Sequence, residues 1–137
     1  MSGVLQRRVQ RTDEFDKWLA DLQDEVGKAA INDRIDRVKG GNLGDVKSVK
    51  GAQGLYEIRV DVGPGYRVHF IAVGNTIVLL LIGGDKSTQT ADIRTAKGML
   101  ADIKKRHAEA KKKREETERK LAKEAGKARQ SNKSKRK

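Results

Sequence analysis

The sequence predicts an α+β fold in which a helical hairpin is followed by a meander of three or four antiparallel strands and a C-terminal helix. Three observations support this prediction. Apolar residues recur at helical spacing over the first third of the chain, and they alternate with polar residues over the middle third. Helical spacing then returns after Gly83-Gly84. A chain of 137 residues allows one domain rather than two.

The first third of the chain contains two predicted helices. Thr12 or Asp13 can cap the first one, because their side chains accept hydrogen bonds from backbone amides. Its apolar residues are Phe15, Trp18, Leu19 and Leu22. The second helix is expected over residues 25–39. It should end at residues 40–42 (Gly-Gly-Asn), which accept left-handed backbone conformations.

The middle of the chain contains the predicted strands, which are separated by residues typical of turns. Residues 63–65 (Gly-Pro-Gly) and 74–75 (Gly-Asn) are the expected turns. The last strand is almost continuously apolar, as expected for a central strand that is covered on both faces. It should break at Gly83-Gly84, and Ser87 or Thr88 should cap the following helix. The strand segments are residues 4–9, 45–50, 55–62, 66–73 and 76–82.

Alternation on two strands separates a predicted core face from a polar face. Tyr66, Val68 and Phe70 share one face, and Arg67 and His69 share the other. The parity of Tyr66 favours a core position over stacking on a nucleic-acid base. In the preceding strand Tyr56, Ile58 and Val60 alternate with Glu57, Arg59 and Asp61.

Positive charge is concentrated at the end of the chain. Of the net +12, residues from Lys104 onward carry 16 Lys/Arg and 5 Asp/Glu, a net of +11. Residues 1–103 carry the remaining 15 basic and 14 acidic residues, a net of +1. We therefore predict a nearly neutral domain over residues 1–103. A basic extension over residues 104–137 should be helical to about residue 125 and disordered beyond it.

A basic extension on a neutral domain indicates a polyanionic partner such as RNA, DNA or the ribosome. The alternative is a solvated tail that aids solubility. The candidate RNA-binding residues are Lys104, Lys105, Arg106, Lys111, Lys112, Lys113 and Arg114.

Several classes of protein are not expected. The absence of cysteine excludes disulfides and thiolate metal sites, and no metal or nucleotide-binding motif is present, so we expect no cofactor. The N-terminal residues do not resemble a signal peptide, because three arginines interrupt them. The longest apolar stretch, residues 77–82, is too short to span a bilayer. A cytoplasmic protein without a membrane partner is the expectation.

An ordered series of segments resembles the "addiction module killer protein" group, the HigB-like branch of the RelE/ParE toxin superfamily. The resemblance covers roughly residues 5–103, and the extension lies outside it. Two segments are specific, Gly-Asn-Leu-Gly-Asp at 41–45 and Gly-Gly-Asp-Lys-Ser-Thr-Gln at 83–89. The other segments are Phe15 with Trp18, Leu19 and Leu22, and residues 56–60, 63–70 and 79–82.

This resemblance implies a RelE-like fold, with two N-terminal helices packed on one side of a twisted antiparallel sheet of three to five strands and a C-terminal helix. RelE-like members are ribosome-dependent endoribonucleases that cut messenger RNA, whereas ParE-like members poison DNA gyrase. Both are held inactive by an antitoxin, which in the HigB-like branch is usually a helix-turn-helix protein.

Cleavage of RNA by transesterification needs a base, an acid and cations that stabilise the phosphorane. Arg67 matches the strand arginine of the superfamily and is the predicted phosphate clamp; a solvated strand arginine is the alternative. Arg59 could lie beside it through cross-strand pairing, or could pair with Glu57 or Asp61.

Two further residues are candidates for proton transfer. Lys86 follows the last strand at the glycine break, and its alternative role is to pair with Asp85. His69 is a general base or acid candidate, and its alternative is an ordinary surface residue. The sequence thus predicts a cofactor-free messenger-RNA endonuclease toxin that a protein antitoxin neutralises. A ParE-like gyrase inhibitor and a non-catalytic RNA- or ribosome-binding module are the rival interpretations.

Overall fold

The computed structural model describes residues 8–74 and 77–135. In these ranges the chain forms five strands and three α-helices. A 3₁₀ turn, Lys86–Thr88, connects the last strand to the last helix. The elements in chain order are β1 (Arg8–Arg11), α1 (Asp13–Asp21), α2 (Glu25–Lys39), β2 (Val46–Ser48), β3 (Leu55–Val60), β4 (Tyr66–Val73), β5 (Ile77–Asp85) and α3 (Gln89–Lys135). Residues 4–7 of the expected first strand, and residues 75 and 76, lie outside the described residues.

The strands form one sheet in the order β1-β5-β4-β3-β2. Strands β2 to β5 pair antiparallel, as expected for a meander. β1 pairs parallel with β5, so the otherwise antiparallel sheet has one parallel strand at this edge. β2 to β5 reverse direction three times, so β5 runs opposite to β2. β1 is parallel to β5 and therefore also runs opposite to β2.

Helices α1 and α2 cover the first face of the sheet, which confirms the predicted helical hairpin. Thr12 caps α1, because its hydroxyl accepts a hydrogen bond from the amide of Phe15. α2 has the predicted bounds and is capped at its C-terminus by Gly40, next to the left-handed Gly41. The core on this face comprises Phe15, Leu19, Ile31, Ile35, Val38, Ile58, Val60, Tyr66, Val68, Phe70, Val78 and Leu80. Tyr66 is thus a core residue, as its parity predicted.

The second face of the sheet is also covered. In β4 every residue from Tyr66 to Ile71 is buried, although successive side chains point to opposite faces. Ala96 and Leu100 in the first turns of α3 are buried, and Gln89 at the start of α3 contacts Glu57 in β3. We infer three layers, in which α3 up to Leu100 forms the layer over the second face.

The strand β5 does not break at the two glycines but continues through them to Asp85. Because each glycine lacks a side chain, a residue from another element can pack directly against it. The two glycines are contacted on opposite faces of the sheet. A Cβ atom on Gly83 would overlap the ring of Trp18, and one on Gly84 would overlap the carboxylate of Asp92. The expected role of the pair as a strand breaker is therefore wrong; close approach is the physical reason for glycine here.

Asp85, rather than Ser87 or Thr88, caps the turn that precedes α3. Its carboxylate accepts a hydrogen bond from the amide of Ser87 at 2.8 Å. The hydroxyl of Thr88 in turn accepts one from the amide of Asp85 at 3.2 Å. These two reciprocal bonds form a capping box.

The chain divides into two compact units, Met1–Leu100 and Ala101–Lys137. In the second unit α3 continues to Lys135, so the predicted end of the helix near residue 125 is wrong, and so is the predicted disorder from Gly126 as far as Lys135. One glycine costs a helix about 1 kcal/mol, and the alanine, lysine and arginine residues around it are strong helix formers. None of the helices within the described ranges combines the length and the apolar character that crossing a membrane requires.

Candidate functional site

Pairing between β3 and β4 places four polar residues together on the second face of the sheet. Glu57 lies opposite His69, and Arg59 lies opposite Arg67. We call these four residues the polar block. The pairing confirms that cross-strand neighbours bring Arg59 beside Arg67. It also adds a carboxylate, Glu57, which the sequence interpretation treated only as an alternative partner for Arg59.

Most of the polar block is buried. His69 has 0% of its surface exposed, Glu57 5% and Arg67 6%, while Arg59 is partly exposed. Alternation correctly predicted the face of Arg67 and His69, but the alternatives of a solvated arginine and a surface histidine are wrong. The physical reason is the layer of α3 over this face, which comes from a part of the chain distant from both strands.

His69 and Glu57 form the centre of the polar block. Their atoms Nε2 and Oε2 are 3.5 Å apart, which is longer than an ordinary hydrogen bond. Neither ring nitrogen of His69 has a hydrogen-bond partner among the described residues. Burial lowers the pKa of His69, and the charges of Glu57 and Asp92 oppose this shift in part. The imidazole is therefore neutral near pH 7 and can accept a proton.

The two arginines have weak partners. Nη1 of Arg67 donates to the carbonyl oxygen of Tyr66 at 3.1 Å and lies 3.8 Å from the carboxylate of Asp61. Nε of Arg59 lies 3.6 Å from the carboxylate of Asp45, so neither predicted alternative, Glu57 or Asp61, is its partner. Nε of each arginine lacks a hydrogen bond within the described residues. Each guanidinium thus keeps donor capacity for an anion.

Lys86 is not part of the polar block. Its exposed side chain runs along Gly65, in the turn between β3 and β4, and its amide donates to the carbonyl oxygen of Gly65 at 3.0 Å. Asp85, its suggested structural partner, instead engages the amide and hydroxyl of Ser87. The structure thus brings together three of the four predicted catalytic residues on one face.

A cleft of about 190 Å³ opens beside Glu57, and we call it the lysine cleft. Nε2 of Gln89 donates to Oε2 of Glu57 at 3.3 Å, and both residues line the cleft. The exposed residues Lys47 and Lys50 also line it. The lining residues are Lys47, Ser48, Val49, Lys50, Glu57, Gln89 and Ile93.

Sequence reasoning missed Glu57, Gln89 and the two lysines of the cleft as site residues. Glu57 shares the parity of Arg59, and this signal could have identified it. The position of Gln89 over Glu57 depends on how α3 packs, which no local pattern reveals. Across residues 8–74 and 77–135 no group of three or more histidine and acidic residues is arranged to hold a metal ion.

The seven predicted RNA-binding residues all lie on α3 in the second unit. Each of them is exposed, as is every residue from 104 to 129.

Three comparisons relate this chain to known proteins. The pattern of the family described as phage-derived protein Gp49-like (DUF891) matches residues 17–130, and so includes much of the extension. An uncharacterized protein of Haemophilus influenzae is 48% identical over 96 residues, which are 70% of this chain and 95% of the relative. A crystal structure of the archaeal RelE–RelB complex from Pyrococcus horikoshii contains a similar chain, with 18% identity and a TM-score of 0.47. That similarity covers 60% of this chain and 97% of the archaeal chain.

Proposed function

This chain belongs to the Gp49-like family of phage-derived proteins, and we propose that it is the toxin of a type II toxin–antitoxin module. In this proposal it is an endoribonuclease that cleaves messenger RNA on the ribosome and so inhibits translation. The observation that carries the proposal is the polar block, in which an imidazole and a carboxylate lie beside two arginines that keep donor capacity. The HigB-like pattern of residues in the same strands supports it.

The proposed reaction is a transesterification that needs side chains alone. Neutral His69 accepts the proton of the 2′-hydroxyl, and the 2′-oxygen attacks the adjacent phosphorus. Arg67 and Arg59 bind the non-bridging oxygens, whose negative charge grows in the phosphorane. The bond to the 5′-oxygen breaks, and this leaving group takes up a proton from Lys86, whose exposed side chain lies outside the polar block and would have to reach the scissile bond when RNA is bound. The products are a 2′,3′-cyclic phosphate and a free 5′-hydroxyl.

Glu57 positions His69 in this scheme. Its carboxylate lies against the imidazole and is itself held by Gln89. A carboxylate beside an imidazole stabilises the imidazolium that forms after proton transfer. Glu57 is therefore a positioning residue.

Access to the polar block limits the reaction. His69 is fully buried, and the lysine cleft reaches only as far as Glu57. The proposal therefore requires the first turns of α3 to move when RNA binds. Lys47 and Lys50 at the cleft would then contact phosphates next to the scissile bond.

The test compares Arg67→Ala with Arg94→Ala, which removes an exposed arginine on α3. Purified ribosomes programmed with messenger RNA are incubated with each protein, and new 5′ ends are mapped. Wild type and Arg94→Ala should cleave, whereas Arg67→Ala should be slower by roughly 10²-fold or more, because the transition state is no longer stabilised by this positive charge. Equal cleavage by both variants, at matched folding by circular dichroism, would remove Arg67 from the site.

The burial of Arg67 and His69 favours a second candidate function, the ParE-like inhibition of DNA gyrase without catalysis. In that case the polar block is structural, with Arg67 held beside Asp61. A gyrase supercoiling assay separates the two functions. Inhibition of supercoiling together with intact messenger RNA would support the gyrase inhibitor. A plain RNA- or ribosome-binding module would bind without either effect.

The proposed partner is a cognate antitoxin, expected from the HigB-like resemblance to be a helix-turn-helix protein. The proposed compartment is the cytoplasm, where messenger RNA and ribosomes are found. Purification of the chain after co-expression with the product of the neighbouring gene would test the partner. Relief of growth arrest should accompany formation of the complex.

A further inference from the structure

Charge along the extension is uneven. Residues 104–114 carry seven Lys/Arg against one Glu, a net of +6, and we call them the basic segment. Residues 115–124 carry three Lys/Arg against four Glu, a net of −1, and residues 125–135 carry four Lys and Arg and no acid. In the middle range each of Glu115 and Glu116 precedes a basic residue by four positions, the spacing that stabilises an exposed helix. The basic segment has one acidic residue for seven cationic residues, so most of its cations cannot form such pairs.

The basic segment is helical and exposed on all sides. Its cations occupy two consecutive runs, 104–106 and 111–114, and consecutive residues of a helix point about 100° apart. The seven charges therefore surround the helix over a length of about 16 Å. No carboxylate of the described residues lies within 4.0 Å of any of these cationic groups.

This arrangement suits a polyanion better than a membrane or a folded protein. A helix that lies on a membrane has a continuous apolar face, and a protein interface has buried apolar or aromatic anchors. Among the described residues of the extension, Leu121 is the one large exposed apolar side chain, and it lies outside the basic segment. Phosphates along a flexible strand can instead reach cations on several sides of a helix.

We propose that the basic segment binds the phosphate backbone of single-stranded RNA independently of the polar block. The choice of RNA over other polyanions rests on the proposed function, in which messenger RNA is the substrate. Binding is sequence-independent, because phosphate contacts carry no base information. It raises the concentration of RNA near the protein without contributing to bond cleavage.

The experiment measures binding of an unstructured fluorescent oligoribonucleotide by anisotropy over a series of salt concentrations. Every protein is full length and carries Arg67→Ala, so that cleavage does not interfere. The test variant replaces four lysines of the basic segment by glutamine. These four substitutions are Lys104→Gln, Lys105→Gln, Lys111→Gln and Lys112→Gln. Glutamine keeps a high helix propensity, and circular dichroism checks that the helix remains.

Two control proteins have matched changes. One has four charges removed elsewhere on the same exposed helix, through Lys120→Gln, Lys123→Gln, Lys127→Gln and Arg129→Gln. The other replaces the four lysines of the test variant by arginine and so keeps their charge.

For single strands, the slope of log K against log salt becomes shallower by about 0.7 for each phosphate that the protein no longer neutralises. The test variant should therefore have a slope shallower by between about 1 and 3, with at least tenfold weaker binding at low salt. The control variant with four charges removed outside the basic segment should show less than half of this effect. The arginine control should bind like the parent.

Three outcomes would overturn the inference. Equally weakened binding in the test variant and the four-charge control would mean that net charge alone attracts RNA. Unchanged binding in the test variant would remove the segment from the interface. Stronger competition by polyglutamate, duplex DNA or phosphatidylserine vesicles than by unlabelled RNA would assign the segment to another partner. Each readout is binding, so it is separate from the cleavage assay that decides the proposed function.

Discussion

His69 is a titratable side chain with no exposed surface, and its pKa lies below the ordinary value of 6.5 because burial disfavours the charged form. The unfolded chain therefore binds a proton on this residue at a higher pH than the folded chain does. As the pH falls through 6.5, protonation stabilises the unfolded state first. Titration of His69 therefore lowers the free energy of unfolding as the pH falls below 6.5, and it has no effect at pH values well above 6.5.

We expect the free energy of unfolding of the wild type to decrease as the pH falls from 7 toward the lowered pKa of His69. His69→Gln should have a weaker pH dependence over the same range, whatever its absolute stability. His107→Gln, which removes an exposed histidine, should behave like the wild type. Urea unfolding at a series of pH values measures all three proteins, and equal slopes for wild type and His69→Gln would contradict the expectation.

Alternation along β4 was sufficient to predict at the residue scale that Arg67 and His69 share a face and that Tyr66 belongs to the core. It could not predict burial of the polar face, because burial depends on α3, which lies at least twenty residues further along the chain. Lys86 was expected at the site because it follows the last strand at the glycine pair, but its side chain runs along the turn at Gly65, outside the polar block.

The end of β5 packs so closely against its neighbours that two of its positions have room only for glycine. Gly83 faces Trp18 of α1, and Gly84 faces Asp92 of α3, so a methyl group at either position must displace a neighbour. Gly98 differs from both, because nothing lies within 4 Å of the position its Cβ would occupy. These three glycines provide a matched comparison within one fold.

We expect Gly84→Ala to lower the free energy of unfolding by about 1–3 kcal/mol through overpacking, and Gly83→Ala to have an effect of similar size. Gly98→Ala should instead raise it by about 0.5–1 kcal/mol, because alanine is the better helix former. Chemical denaturation of the three variants checks the signs. A neutral or stabilising Gly84→Ala would mean that Asp92 does not pack there.

At the element scale, local signals predicted the helices of the hairpin and the strand β4, since caps, turns and periodicity are local. The parallel pairing of β1 with β5 joins distant segments, and no local signal encodes it. The continuation of β5 through two glycines was also not predictable from local signals. Glycine normally indicates a break, and here its role depends on neighbours from α1 and α3.

At the scale of the whole molecule, the first compact unit ends at Leu100. Leu100 is buried, Ile103 is partly buried, and every residue from 104 to 129 is exposed. The stability of the first unit should therefore not depend on the extension, although the family pattern includes part of it.

We expect a chain truncated after Ile103 to remain folded, with a thermal midpoint within a few degrees of that of the full-length protein, because the described core stays intact. Thermal unfolding followed by near-ultraviolet circular dichroism, which reports on Trp18, tests this. A truncated chain without a cooperative transition would show that residues beyond 103 stabilise the first unit.

The position of β4 has a consequence for amide hydrogen exchange. This strand is hydrogen-bonded on both edges and covered on both faces from Tyr66 to Ile71. Amides in such a position exchange with deuterium through the rarest and largest openings of a protein. The backbone that carries Arg67 and His69 should therefore be among the last to exchange, whereas their side chains need only the layer of α3 to move before they meet solvent. In the proposed nuclease, the reacting groups would thus lie on a strand that opens rarely, and a different element would control access to them.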